Sequence, residues 1–163
     1  MDEHQFKRLF DRARADVDRL TDTACPRLYF DSIDLLTDKF FDLIRHLLAS
    51  QDEAQFCVLS LKPDPFGHFS YFEKYPAFLH GAKNTVDDYY DVLHRDPGNS
   101  PADAIAYNAI QYVVLPIVGD WFMYADRDWQ MGALSGPSDV MELARGFYPF
   151  FLTPEPGFRI TGN

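Results

Sequence analysis

Apolar residues recur at three- and four-residue steps through residues 3–20, where Phe6, Leu9, Phe10, Ala13, Val17 and Leu20 form one stripe and mixed charges lie opposite. That spacing predicts an amphipathic helix. After a loop containing Cys25-Pro26, Ser32 is placed to cap a second helix running to about Ala49, with Ile33, Leu36, Phe40, Leu43, Ile44 and Leu47 on its buried side. Residues 55–61 are short, apolar and stopped by Lys62-Pro63-Asp64-Pro65, which predicts a strand. The next stretch, residues 66–79, is dense in rings but has no clean period and contains Pro76, so it reads as irregular or partly extended.

Residues 85–93 predict a short helix. Asp96-Pro97-Gly98-Asn99 is a strong turn signal, and Ser100-Pro101 then supplies a cap and a first helical position for a third major helix over residues 101–112. The most legible unit follows. Residues 120–125 and 129–135 are apolar runs separated by Asp126-Arg127-Asp128, the pattern of a β-hairpin with a polar tip. Gly136-Pro137-Ser138 closes it and opens a last helix ending near Gly146, and the Pro- and ring-rich tail is expected to lie across the surface. With no repeat and no linker long enough to divide it, the chain reads as one domain spanning residues 1–163. The expected class is α+β, with several helices on one side of a small antiparallel sheet that includes the hairpin in the C-terminal half.

Composition alters this picture in two ways. Fifteen Phe, nine Tyr and two Trp make an unusual share of rings, most of them expected in the core and some at an interface. The 25 acidic residues outnumber the 15 basic ones, for a net charge of −10. The first twenty residues balance to zero, so the excess belongs to the folded body. Such a chain repels nucleic-acid phosphates and anionic membranes, and its natural complement is a basic protein. The N-terminus has no basic segment followed by an apolar one, and the longest apolar stretch, around residues 112–118, is far too short to span a bilayer. A cytoplasmic location is the expectation.

Candidate chemistry is sparse. No GxSxG elbow, phosphate-binding glycine loop or HExxH spacing occurs, and Cys25 and Cys57 give no zinc pattern, although nothing in the sequence rules out a disulfide between them. No catalytic residue, metal ligand or cofactor is assigned. Cys57, within the apolar strand, reads as an inert buried thiol. His46 reads as solvated, beside Asp42 and Arg45. The Asp126-Arg127-Asp128 carboxylates read as solvated turn residues. His68 and His80 bracket the ring-rich segment and could meet a carboxylate such as Asp64 or Asp87, which leaves an alternative reading as a small-molecule-binding protein or enzyme with its site there.

One charge arrangement stands out. Asp31, Asp34, Asp38 and Asp42 recur at helical steps and predict an acidic stripe on the second helix. Asp87, Asp88 and Asp91 with Tyr89 and Tyr90 make a second acidic, aromatic cluster. The expected partner-binding set is Asp34, Asp38, Asp42, Asp87, Asp88, Tyr89, Tyr90 and Trp129. A third reading is a homodimer sealed by the aromatic tail 147–152. The hairpin register, which decides whether Trp121 or Trp129 faces the core, is open at this point.

Three phrases carry a resemblance: Asp64-Pro65 followed by Phe72-Glu73-Lys74-Tyr75-Pro76, then Ser100-Pro101-Ala102-Asp103-Ala104, then Asp120-Trp121-Phe122-Met123-Tyr124-Ala125-Asp126-Arg127-Asp128. Together, over roughly residues 60–135, they resemble small acidic bacterial immunity proteins of polymorphic-toxin and contact-dependent inhibition systems. The resemblance implies a non-enzymatic cytosolic protein that blocks a cognate toxin. It assigns no binding residue.

Overall fold

The computed structural model describes residues 1–98 and 103–161. Six helices pack with one six-stranded antiparallel sheet among these residues, so the fold is α+β. The helices are α1 (Glu3–Arg19), α2 (Asp38–Ser50), α3 (Pro65–Phe72), α4 (Val86–Leu93), α5 (Ile105–Asn108) and α6 (Ser138–Phe147). The strands are β1 (Leu28–Phe30), β2 (Gln55–Lys62), β3 (Ala77–Gly81), β4 (Gln111–Pro116), β5 (Phe122–Asp126) and β6 (Met131–Ser135), in spatial order β1-β6-β5-β4-β2-β3.

The sheet is covered on both faces, not on one. Along β2, Phe56 and Val58 point to a first core shared with α2, α4 and α6, whereas Cys57, Leu59 and Leu61 point to a second core shared with α1. The same alternation runs through β4, with Tyr112 and Val114 on the first face and Val113 and Leu115 on the second. The second core is completed by Ile160 and Phe158, so the tail returns under the face that α1 covers.

Several sequence expectations change. The helix expected over residues 101–112 shrinks to α5, and Gln111 and Tyr112 instead begin β4, paired with both β2 and β5. Asn99 and the expected Ser100-Pro101 cap lie outside the described residues. The ring-rich stretch is regular after all: Asp64 caps α3 by accepting from Phe66 and Gly67 amides, Pro65 takes the first helical position, and β3 follows. Ser32 opens only a 3-10 turn, Ser32–Leu36, because Thr37 is extended (φ −115°, ψ 146°) and recaps the chain for α2. Ile33 is 58% exposed, not on the buried side. The short strand β1 had no sequence signal.

In the hairpin, β5 pairs with β6 from Phe122↔Ser135 to Asp126↔Met131. That register buries Trp121 completely and leaves Trp129 half-buried, edge-on to Tyr124 and Phe158. Asp126 is not solvated as expected. It is buried and accepts from Gln111 Nε2 at 2.7 Å, the Asp128 amide at 2.8 Å and the Tyr124 hydroxyl at 3.4 Å. Arg127 donates to the Ala106 carbonyl at 2.7 Å, tying the tip to α5, and Asp128 alone of the two acids is exposed, paired with Lys62 at 3.2 Å.

Candidate functional site

The 3-10 turn, the start of α2 and the segment after α6 enclose an open groove of about 520 Å³. Asp31, Asp34 and Asp38 line one wall, and Tyr148, Phe150 and Leu152 line the other. Local chemistry fixes each carboxylate. Asp31 caps the 3-10 turn through the Ile33 amide at 3.0 Å, and Asp38 lies in the first turn of α2, where the helix dipole favours negative charge. Asp34 is half-buried, and burial raises its carboxyl above the usual range. The Tyr148 hydroxyl faces it and partly offsets that rise, and Asp31 adds to it, while Asp34 Oδ2 makes no hydrogen bond of good geometry.

Two buried tyrosines hold this wall in place. The Tyr89 hydroxyl donates to the Leu35 carbonyl at 2.8 Å, and the Tyr112 hydroxyl donates to the Ser32 carbonyl at 2.6 Å. On the opposite wall the tail is anchored to the sheet edge, because the Leu152 amide donates to the Tyr29 carbonyl at 2.7 Å. Phe150 is nonetheless 53% exposed.

The expected partner-binding set is therefore divided. Asp34 and Asp38 share the groove, and Tyr90 stands close enough to Asp38 that the carboxylate, after burial, raises its hydroxyl. Asp42 lies one turn further along α2, outside the groove wall. Asp87 is exposed on α4, and Asp88 is occupied as a capping box, accepting from the Thr85 amide and hydroxyl at 2.8 Å each, which holds its carboxyl below the usual range. Tyr89 is withdrawn from the surface entirely: it is fully buried, stacked on Phe41 at 4.7 Å. Trp129 packs against the core on the other face of the sheet. The tail residues that complete the groove lie more than a hundred positions from the acids, so no local pattern could have joined them.

The histidines also separate. His80, on β3, is buried among Phe41, Phe56, Phe78 and Tyr89, with Nε2 lacking a partner. Burial lowers its pKa below the ordinary 6.5, against the opposing pull of Asp88 and the Thr85 backbone. The unfolded chain therefore binds that proton more readily, and the stability this ring contributes is lost as pH falls below 6.5 through the folded pKa. Denaturant titrations at stepwise lower pH should show wild type losing stability relative to His80→Phe. Parallel curves down to pH 5 would remove His80 as the cause. The raised carboxyls of Asp16 and Asp34 act with the opposite sign and nearer the acid range, so the comparison with the variant isolates the imidazole.

His68 sits elsewhere, at a second cleft of about 360 Å³ between α3, β3 and the end of α4. Asp64 serves the α3 cap and does not meet it. His46 is not freely solvated but stacks on Phe147 at 4.2 Å. Both cysteines are free: Cys57 is buried and its thiol is pushed up to about 12, while Cys25 Sγ lies 3.1 Å from Ser135 Oγ. A thiol that protonated cannot act as a nucleophile near neutral pH. Among the described residues no group of three His, Cys, Asp or Glu side chains could hold a metal ion, and no helix is long and apolar enough to cross a membrane. No family model, curated protein or solved structure matches the chain.

Proposed function

We propose that this chain is a non-catalytic protein-binding protein of the immunity type, acting in the bacterial cytoplasm to neutralise a cognate basic toxin. One observation carries the reading: Asp31, Asp34 and Asp38 share an open groove with the exposed ring of Phe150, beside Tyr90 and the exposed Ile33. Carboxylates backed by apolar and aromatic surface suit a partner that offers lysine or arginine side chains, with the charges steering encounter and the rings supplying buried area. The net charge of −10 extends that steering over the whole molecule.

The test pairs this protein with the product of its neighbouring gene. A complex should form, and its association should slow as salt is raised. Asp34→Asn with Asp38→Asn should leave folding intact and lower the association rate by about tenfold at low salt. An association rate unchanged by the double substitution would take the groove out of the mechanism, and no complex in a folded preparation would overturn the reading.

A further inference from the structure

The cleft beside His68 holds a rigid acceptor that neither the core nor the acidic groove uses. His68 is only 8% exposed, and its Nδ1 lies 2.8 Å from the Lys74 carbonyl. A carbonyl only accepts, so Nδ1 carries the proton and, in the neutral ring, Nε2 presents a lone pair. That nitrogen has no hydrogen-bond partner among the described residues, yet it is not sealed away as the orphaned His80 Nε2 is. Its opening is toward the cleft that the ring lines. Phe72 packs on the same ring at 4.6 Å and, with the Lys74 carbonyl, fixes its orientation.

Around this acceptor the lining is mostly apolar, with the rings of Phe69, Tyr75 and Phe78 beside Val92 and Ile105. Three rings favour a flat aromatic body over an aliphatic one. Charged side chains of both signs also line the cleft, Glu73, Asp96 and Asp103 with Lys74 and Arg95, so its field selects neither a cation nor an anion. Asp96 offers no acceptor there, because one oxygen takes the Gly98 amide at 2.6 Å and the other is buried out of reach. Glu73, Lys74 and Arg95 are exposed and meet water, whereas a nearly buried imidazole nitrogen is costly to leave unmet once a ligand covers it. The volume of about 360 Å³ is at the small end of the range for ligand pockets, roughly 300–1,000 Å³. We infer that this cleft binds a small neutral aromatic molecule bearing one N–H or O–H donor, an indole or a phenol. The donor meets His68 Nε2, and the ring lies on the wall of Phe78, Val92 and Ile105. The inference stands apart from the toxin-binding reading, because it concerns other residues and needs no protein partner.

Titration of the isotopically labelled full chain, without any partner, tests it directly. Indole should produce saturable NMR shifts at the Ile105 methyls and at the His68 ring, with the Nε2 resonance moving as that nitrogen accepts a hydrogen bond. The Ile33 methyls, beside the acidic groove, should stay still. Benzofuran has the same shape with an oxygen in place of the N–H, and it should bind at least about tenfold more weakly. Val92→Trp, at a half-buried position on α4, fills the cleft and should abolish the shifts with the fold intact. His68→Phe keeps a ring but removes the acceptor, and should bring indole down to the affinity of benzofuran; should that variant fold poorly, the two ligands on wild type decide alone. No saturable shift up to about 10 mM indole, or equal binding of indole and benzofuran, would overturn the assignment. So would tighter binding of the charged analogues tryptamine or indole-3-acetate than of indole itself.

Discussion

Gly132→Ala is expected to destabilise the protein by about 3 kcal/mol, the upper part of the range for overpacking a closed core. A Cβ at Gly132 would lie 2.4 Å from two ring carbons of Phe30 and 2.9 Å from the Tyr124 carbonyl oxygen. Neither neighbour can retreat. Phe30 is fully buried and pinned against Phe40 at 4.9 Å, and the carbonyl belongs to β5, the strand paired with β6. The clash sits where β1 meets β6, since Phe30 and Gly132 are register partners, so relief requires the edge strand to peel away. Gly146→Ala is the matched control. Nothing lies within 4 Å of its added Cβ, and the residue is inside α6, so alanine there should add about 0.5–1 kcal/mol through helix propensity and a less flexible unfolded chain. Urea denaturation of the two variants should bracket wild type. A Gly132→Ala protein as stable as wild type would mean that β1 is not fixed on β6 as described.

Asp126→Ala should cost a similar amount, about 2–4 kcal/mol, by a different route. The carboxylate gathers the Gln111 side-chain amide, the Asp128 backbone amide and the Tyr124 hydroxyl at the foot of the hairpin. Its removal takes away an acceptor that two of the three meet in a buried place and the Asp128 amide in a partly buried one, and a buried donor that loses an acceptor keeps its desolvation cost. A second readout separates this from simple loss of packing. Burial first, and Asp126 second, raise the Tyr124 phenol, so its ultraviolet titration should shift downward in the variant while staying above the ordinary value of 10. Full stability together with an unmoved Tyr124 titration would return Asp126 to the solvated role that a hairpin tip suggests.

That contrast shows what a sequence does and does not display. The stripe in α1 is legible because that helix has one wet face, which leaves a period in the residue pattern. The hairpin strands, buried on both faces like β4, are legible instead from the polar turn between two short apolar runs. Gln111–Pro116 has no wet face: every residue of β4 is buried between α1 on one side and α2 on the other. Its run of apolar residues carries no period, so the helical signals ahead of it extend too far. Residues 65–79 fail differently. Asp64-Pro65 is a sound helix start, but α3 has only eight residues and too few turns to show a stripe. The acidic residues of the groove were visible as a series, yet Thr37 breaks the helix that would have made them a straight row. The aromatic half of the groove comes from a distant part of the chain and depends on tertiary packing alone.

The hydroxyls of Tyr89 and Tyr112 reach from α4 and β4 to the carbonyls at either end of the turn that bears Asp34. Their anchoring makes that turn an extension of the sheet instead of a free loop. A partner arriving at the groove finds the acids already ordered, so little conformational entropy is lost on that side of the interface. The affinity of such a surface is set by how well the partner's charges match a fixed template. Tyr89→Phe, which frees one end of the turn without touching the groove, should therefore loosen a complex by speeding its dissociation while leaving charge-steered encounter as it was.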